Sequence, residues 1–254
     1  MDTLEESIND YTSYFRRVLE NIANMATSDE RATPVFRTIL YFSCLDAWAG
    51  DAFPRQRNKE RFVKSIHEIS EWEHADRVSI PQLFDHWFKI WTEKEGYLKK
   101  LSVTFKYCAS PRSTVSEVDV ESCWDEVPEA RAISEDPRVD DLVCEIGAAS
   151  RSCVELFQFS HLIWDYRNSV VHRFECPGRA TDVLGKNKDV PYYLPCGNTL
   201  ELVLPVACLQ RLCQSSLTKF DRWLRERKTN PYRNSELKTS WNAAVESAPD
   251  ARGM

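Results

Sequence analysis

Apolar residues recur every three to four positions along most of this chain, and that spacing predicts packed α-helices. The first helical segment covers residues 4–25, and Thr3 and Glu6 have the spacing of a capping box at its start. Pro34 suits the first turn of a second helix, which is apolar on most sides. Glycine, with 7 residues in 254, is too scarce for a turn-rich β fold. The sequence therefore predicts a mainly α-helical fold.

The remaining elements follow from the same periodicity and from breaks in it. Helices are predicted at about 59–69, capped by Asn58, and at 82–107, 139–149, 152–174 and 206–228. Two short strands at 190–194 and 199–204 predict one small β-hairpin before the last helix. Residues 109–137 are acidic and rich in Ser and Pro, which indicates a loop or insertion. We expect a single domain over 1–230 and a frayed C-terminal tail over 231–254.

Residues 162–174, LIWDYRNSVVHRF, carry the most informative polar pattern of the chain. His161, Asp165, Asn168 and His172 lie on one stripe of the predicted helix, opposite its apolar side. A buried helix rarely carries four polar groups on one stripe unless they contact each other or a ligand. We therefore expect these side chains to contribute to a site.

Arg167 lies beside this stripe, five positions before His172. Five residues turn a helix by about 140°, so the two residues leave the helix in different directions. They can serve one site if the arginine side chain reaches round, if the helix ends between them, or if a second chain contributes its copy. The alternative is a surface cation and a histidine near a helix C-terminus. Asp46, in the apolar second helix, is either a buried partner for a cation such as Arg167 or a half-exposed carboxylate.

The order Arg167, Asn168, three further residues and His172 resembles the motif of the HEPN superfamily (higher eukaryotes and prokaryotes nucleotide-binding). The resemblance implies an antiparallel HEPN-like helical bundle, here with extra helices, like the larger stand-alone bacterial HEPN proteins. It also implies a metal-independent endoribonuclease that works as a homodimer with a shared Arg/His site, in a toxin or defence system. In the toxin branch a tyrosine often follows the histidine by two residues, whereas this chain has Phe174 there. Control by modification of such a tyrosine is therefore not expected.

The motif residues fit RNA cleavage by the 2′-hydroxyl. Histidine changes its charge near neutral pH, so His172 suits acid or base work. The fork of Arg167 fits two phosphate oxygens, and Asn168 can hold a phosphate oxygen or fix the histidine tautomer. Asp165 and His161 are supporting residues, Asp165 either orienting the stripe or binding Arg167 at rest. This chemistry needs no cofactor and selects RNA over DNA.

Binding partners are predicted from charge and from the resemblance. Arg179, Lys186 and Lys188 lie on a polar loop after the motif helix and are candidates for contacts with RNA phosphates. The net charge of −6 argues against binding nucleic acid through bulk charge, without excluding a local basic groove. Besides RNA and a second copy of the chain, we expect an antitoxin or partner protein. The alternative function is a catalytically silent HEPN module that binds RNA or a partner protein.

The sequence gives little indication of a metal site or of a membrane span. The nine cysteines are scattered without a C-x-x-C pair, which is typical of reduced thiols in a cytoplasmic protein. A zinc site could use His172, Cys176 and Cys196, but these lack paired-ligand spacing. A metal-binding bundle could use His161, Asp165 and His172; His161 and Asp165 have the i, i+4 spacing of ligands, but the sequence has no second motif of that kind. We therefore expect no metal. The first ten residues are acidic, which is not typical of a secretory signal. The sequence has no apolar run of about 18 residues, so no membrane span is predicted.

Overall fold

The structure of the 254-residue chain is a computed structural model that describes residues 3–30, 32–91, 133, 136–174, 190–196 and 199–234. The described helices are α1 (Leu4–Asn24), α2 (Ala32–Ala52), α3 (Asn58–Glu68), α4 (Ile80–Trp91), α5 (Val139–Ile146), α6 (Arg151–Glu155), α7 (Phe159–Arg173) and α8 (Val206–Glu226). The strands β1 (Tyr192–Cys196) and β2 (Thr199–Val203) form one antiparallel hairpin, with Tyr192 opposite Val203. The prediction of a mainly helical fold with a small hairpin before the last helix is confirmed.

Helix α1 begins where the capping pattern predicts. Thr3 Oγ1 accepts a hydrogen bond from the backbone N–H of Glu6 at 3.2 Å, and Glu6 Oε2 accepts one from the Thr3 N–H at 2.6 Å. The bond from the Thr3 N–H stabilises the ionised carboxylate and is the largest cause that lowers the pKa of Glu6. The reciprocal pair satisfies two of the N–H groups that a helix start leaves without intrahelical partners.

Helix α2 lies at the centre of the larger hydrophobic core. It packs against α1, α3, α7 and α8. Its side chains Tyr41, Phe42 and Trp48 are 1% exposed or less, and Phe62 of α3 and Phe220 of α8 are equally buried beside them. Burying an apolar side chain of this kind contributes roughly 1.5–3 kcal/mol. Asp46 is therefore carried by the central helix of this core.

A smaller core connects α4 with α5 and α6. It is built from buried residues that include Val78, Ile80, Leu83, Trp87, Leu142 and Val154. The backbone of residues 77–79 bonds to the segments before α5 and after α6. The Val78 N–H donates to Pro137 O and the Ser79 N–H donates to Phe157 O, both at 2.9 Å. Tyr193 of the hairpin adds side-chain bonds to Asp136 and Ser79.

The predicted motif helix over 152–174 is wrong in its first half. Helix α6 ends at Glu155 and α7 starts at Phe159. Between them the backbone bonds across the fold: the N–H of Phe159 donates to Arg77 O at 2.9 Å, and Val78 bridges to Gln158. These partners lie far away in the sequence, so local periodicity carries no sign of them. The periodicity therefore predicted one continuous helix across the break.

Several other boundaries also differ from the predictions. Arg57, not Asn58, is the N-cap residue of α3, and it makes no side-chain cap bond. Helix α5 ends at Ile146 rather than at 149 because Gly147 takes a positive φ of 100°, which glycine adopts at little cost. The first strand starts at Tyr192 rather than at 190, after Pro191, which has no N–H to donate.

The ends of two predicted segments fall partly outside the described residues. Pro231–Asn234 form a short 3₁₀ helix against α1 and α2, so the tail is not frayed there. The rest of the tail, the fourth helix beyond Trp91 and most of 109–137 lie outside the described residues. Among the described helices, none combines the length and apolar character that crossing a bilayer requires.

Candidate functional site

Helix α7 presents the motif at its C-terminal end. Ile163, Tyr166 and Val170 are buried and face α2 and α3, which fixes the rotation of the helix. The helix stops at Phe174, whose backbone is left-handed with φ of 56°. His172 therefore lies in the last turn and is exposed to solvent, where a polymer can reach it.

Arg167 is held by Asp46 of α2. Its Nε donates to Asp46 Oδ2 at 2.6 Å, and its Nη2 forms an ion pair with the same oxygen. The two side chains are only 16% and 19% exposed, so the pair is largely buried. The guanidinium also lies over the Trp164 ring, 5.0 Å from its centroid. The predicted role of Asp46 as a buried partner of Arg167 is confirmed, and the half-exposed alternative is wrong.

The third nitrogen of the Arg167 guanidinium contacts the other two motif residues. Nη1 donates to Asn168 Oδ1 at 2.9 Å and lies 2.9 Å from His172 Nε2. Arginine has only donors, so Nε2 is the acceptor and carries no proton in this arrangement. Of the three alternatives for joining Arg167 to His172, the structure has the side chain reaching round within one chain. The angle of about 140° between the two side chains therefore does not require a second chain, and the shared site stays a prediction.

Burial dominates the electrostatics of Asp46. It raises the pKa of Asp46 above its ordinary value, and the positive charges of Arg167 and Arg61 act in the opposite direction. A carboxylate in this position neutralises Arg167 and orients it. It also competes with any phosphate that approaches the guanidinium.

The other half of the predicted polar stripe forms a separate cluster. Asp165 is 57% exposed and pairs with Lys59 of α3 at 3.4 Å, so it does not bind Arg167. His161 is half-buried, and its Nδ1 has no hydrogen-bond partner within the described residues. Burial lowers the pKa of His161, and the charge of Lys59 adds to this effect. Asn168 and His172 therefore meet at Arg167, whereas Asp165 contacts Lys59 of α3, so the four stripe residues do not form one site within the described residues.

The remaining predicted site residues are placed only in part. Arg179, Lys186, Lys188 and Cys176 lie outside the described residues, and nothing is described of the Cys196 side chain. Within the described residues, no three histidine, cysteine or acidic side chains come together as a metal site, so His161, Asp165 and His172 do not form one there.

Two residues near the site were not predicted from the sequence. Trp164 precedes Arg167 by three positions, a spacing at which helical side chains meet, so this contact had a local signal. Arg61 of α3 acts electrostatically on Asp46, yet it is more than 100 positions from the motif. Only the packing of α3 against α2 brings it there.

Comparisons of this chain with protein-family models, curated proteins and solved structures found no match. The HEPN resemblance remains a prediction that rests on Arg167, Asn168 and His172.

Proposed function

We propose that the protein is a metal-independent endoribonuclease of HEPN type with Arg167, His172 and Asn168 at its active site. The observation that carries the proposal is the contact of 2.9 Å between Arg167 Nη1 and His172 Nε2. An invariably charged fork and an unprotonated imidazole nitrogen adjoin at an exposed helix end, where phosphate and a 2′-hydroxyl could both be engaged.

The proposed reaction is attack of an RNA 2′-hydroxyl on the neighbouring phosphorus. The hydrogen bond from Arg167 Nη1 to His172 Nε2 is released, Nε2 takes the hydroxyl proton, the 2′-oxygen bonds to phosphorus, and the bond from phosphorus to the 5′-oxygen breaks. The leaving oxygen takes a proton, so the products are a 2′,3′-cyclic phosphate and a 5′-hydroxyl. Arg167 stabilises the charge that develops on the phosphate oxygens, while Asp46 and Asn168 orient its guanidinium.

We propose that two chains share this chemistry in a homodimer. One motif supplies one imidazole, whereas the step requires a base for the 2′-hydroxyl and an acid for the leaving oxygen. A two-fold axis beside α7 would bring a second Arg167–His172 pair to the same phosphate. On the resemblance, we further propose a cytoplasmic toxin or defence role, an antitoxin or partner protein, and RNA contacts from Arg179, Lys186 and Lys188.

The decisive experiment compares the purified wild-type protein with His172→Ala and His172→Gln in EDTA. We expect the wild type to cleave a single-stranded RNA and leave 2′,3′-cyclic ends, with a loss of about 10²-fold or more in both variants. Because His172 is exposed, both variants should retain the thermal stability of the wild type. Equal cleavage by all three proteins, or activity that EDTA abolishes and magnesium restores, would contradict the proposal.

One observation favours a second candidate, a catalytically silent module that binds RNA or a partner protein. All three nitrogens of the Arg167 guanidinium already contact side chains of the same chain. An arginine engaged in this way can be a structural residue that never contacts phosphate. RNA binding without cleavage by the wild-type protein would identify this function.

A further inference from the structure

A second arginine lies one helical turn from the Arg167 contact. The guanidinium of Arg61 packs beside Gly50 of α2, where a methyl group in place of a Gly50 hydrogen would lie 3.8 Å from Arg61 Cζ. Gly50 follows Asp46 by four residues, so both positions lie on the same side of α2, about 6 Å apart along its axis. Two arginines from different helices therefore stand in a row beside α2.

Arg61 is not paired as Arg167 is. Its positive charge acts on both Asp46 and Asp51. However, Asp46 is engaged by Arg167, and Asp51 accepts a hydrogen bond from the hydroxyl of Tyr11. Within the described part of the chain, the Nε of Arg61 is buried and has no hydrogen-bond partner. The side chain as a whole is only partly buried, so its terminal nitrogens can meet an anion from outside the chain. Such an anion would pair a guanidinium for which the described residues supply no ion pair.

We propose that Arg61 binds a backbone phosphate of single-stranded RNA, next to the phosphate on which Arg167 and His172 act. This inference rests on the proposed ribonuclease function and adds a substrate-binding residue to it. The guanidinium fork of Arg61 would bind two non-bridging oxygens of one phosphodiester. Arg167, held by Asp46, is then oriented for the reacting phosphate.

The arrangement favours a nucleic-acid strand over a single small anion. Two arginines along one side of α2 match two anionic groups in succession, and a nucleic-acid strand carries one phosphate per nucleotide. Asp46 pairs with Arg167 and is also acted on by the charge of Arg61, so its carboxylate competes with an ion that contacts one of the two cations. The 2′-hydroxyl that the reaction requires selects RNA.

The test measures binding separately from cleavage. A fluorescent single-stranded RNA with 2′-O-methyl groups, which cannot be cleaved, is titrated into full-length His172→Ala protein and followed by anisotropy. Arg61→Ala in that background should weaken binding about tenfold, the effect of losing one charge-assisted contact. The slope of log affinity against log salt should fall by about 0.7, because one phosphate contact is lost.

Arg222→Ala is the matched control, since Arg222 is 59% exposed on α8 and lies 3.9 Å from Glu71 at the opposite end of α3. It removes the same charge and should leave affinity and salt slope unchanged. Arg61→Lys keeps the charge but loses the guanidinium fork. This variant should bind the RNA less tightly than the His172→Ala parent, with an unchanged slope of log affinity against log salt. This variant gives the answer if thermal melting shows that Arg61→Ala is unfolded.

Each outcome decides the inference. An Arg61→Ala affinity and slope equal to those of Arg222→Ala overturn it, even when the wild type cleaves RNA. Undiminished binding by Arg61→Lys overturns the proposed fork contact, and no RNA binding by the parent protein overturns the whole site. Selective loss of binding in a protein that never cleaves RNA supports the Arg61 contact and contradicts the ribonuclease proposal alone.

Discussion

Nη1 of Arg167 lies 2.9 Å from Nε2 of His172, although the two residues leave a regular helix about 140° apart. The contact forms because the arginine side chain is long and because α7 ends just beyond His172. It requires an unprotonated Nε2, since both groups would otherwise be donors. In the resting pair the Nε2 lone pair accepts from the guanidinium, so this hydrogen bond has to be released before the imidazole can act as a base.

Replacing Asp46 by asparagine should separate RNA affinity from the rate of cleavage. The change removes the negative charge that neutralises Arg167, so the RNA analogue with 2′-O-methyl groups should bind more tightly. It also loosens the guanidinium, so kcat should fall by about tenfold or more. The largely buried ion pair is lost as well, at an expected cost on the order of 2 kcal/mol of stability. Anisotropy, steady-state kinetics and urea denaturation measure the three effects.

Asp165→Asn provides the control for this variant. It removes the same charge from an exposed carboxylate that pairs with Lys59 rather than Arg167. We expect its kcat and stability to stay near the wild-type values. A similar fall of kcat in both variants would show that Asp46 has no specific role in holding Arg167.

Acid should destabilise the fold through three partly or fully buried histidines. Burial is the largest cause that lowers the pKa values of His67, His74 and His161 from their ordinary value of 6.5. At pH values between each lowered pKa and 6.5, the unfolded chain binds more protons than the folded chain. The contribution of the neutral histidines to stability is therefore fully present above pH 6.5 and is lost as the pH falls below 6.5. Burial raises the pKa values of Asp46 and Asp51, which has the opposite sign, but from an ordinary value of 3.8.

Urea denaturation between pH 7.5 and 5.5 tests this expectation. The free energy of unfolding should decrease across that range, and His67→Gln should reduce the decrease. Glutamine does not titrate and can keep a polar contact with Ser160, whose Oγ lies 3.0 Å from His67 Nε2. Stability that does not change with pH, or an unchanged dependence when His67, His74 and His161 are replaced in turn, would contradict the assignment.

The parts of the fold that depend on neighbouring residues could be predicted from the sequence. The capping box of α1 needs only Thr3 and Glu6, and the apolar stripes of α1 and α8 follow from residue spacing. The break between α6 and α7 could not be predicted in this way. It depends on bonds from Phe159 to Arg77 and from Ser79 to Phe157, which form only after distant segments pack together.

The contacts of the candidate site could likewise be predicted from the sequence only in part. An acidic residue buried in an apolar helix is costly without a cation, so the contact of Asp46 with Arg167 was one of the two alternatives that the sequence left open. The contact between Arg167 and His172 could not be predicted from the angle at which the side chains leave the helix, because an arginine side chain is long enough to reach round. Arg61 had no local signal, since the packing of α3 on α2 determines its place.

The proposed two-chain site makes a quantitative prediction about mixtures. Wild-type protein is mixed with His172→Ala under conditions that exchange subunits, and exchange is verified with two different tags. With equal amounts, random exchange leaves about one quarter of the dimers with two intact chains. If base and acid are the His172 residues of two chains, the mixture should show about one quarter of the wild-type activity. If each chain cleaves alone, it should show about one half.

Arg222→Ala serves as the active diluent in a parallel mixture, because Arg222 pairs with Glu71 and lies outside the motif contacts. That mixture should keep full activity and exclude an effect of exchange itself. The ratio is informative because Arg167 and His172 already meet within one chain, so neither half of the contact needs a partner. A two-chain requirement therefore has to come from the second proton transfer. Activity that falls linearly with the wild-type fraction, or cleavage by a species that light scattering identifies as a monomer, would exclude the shared site.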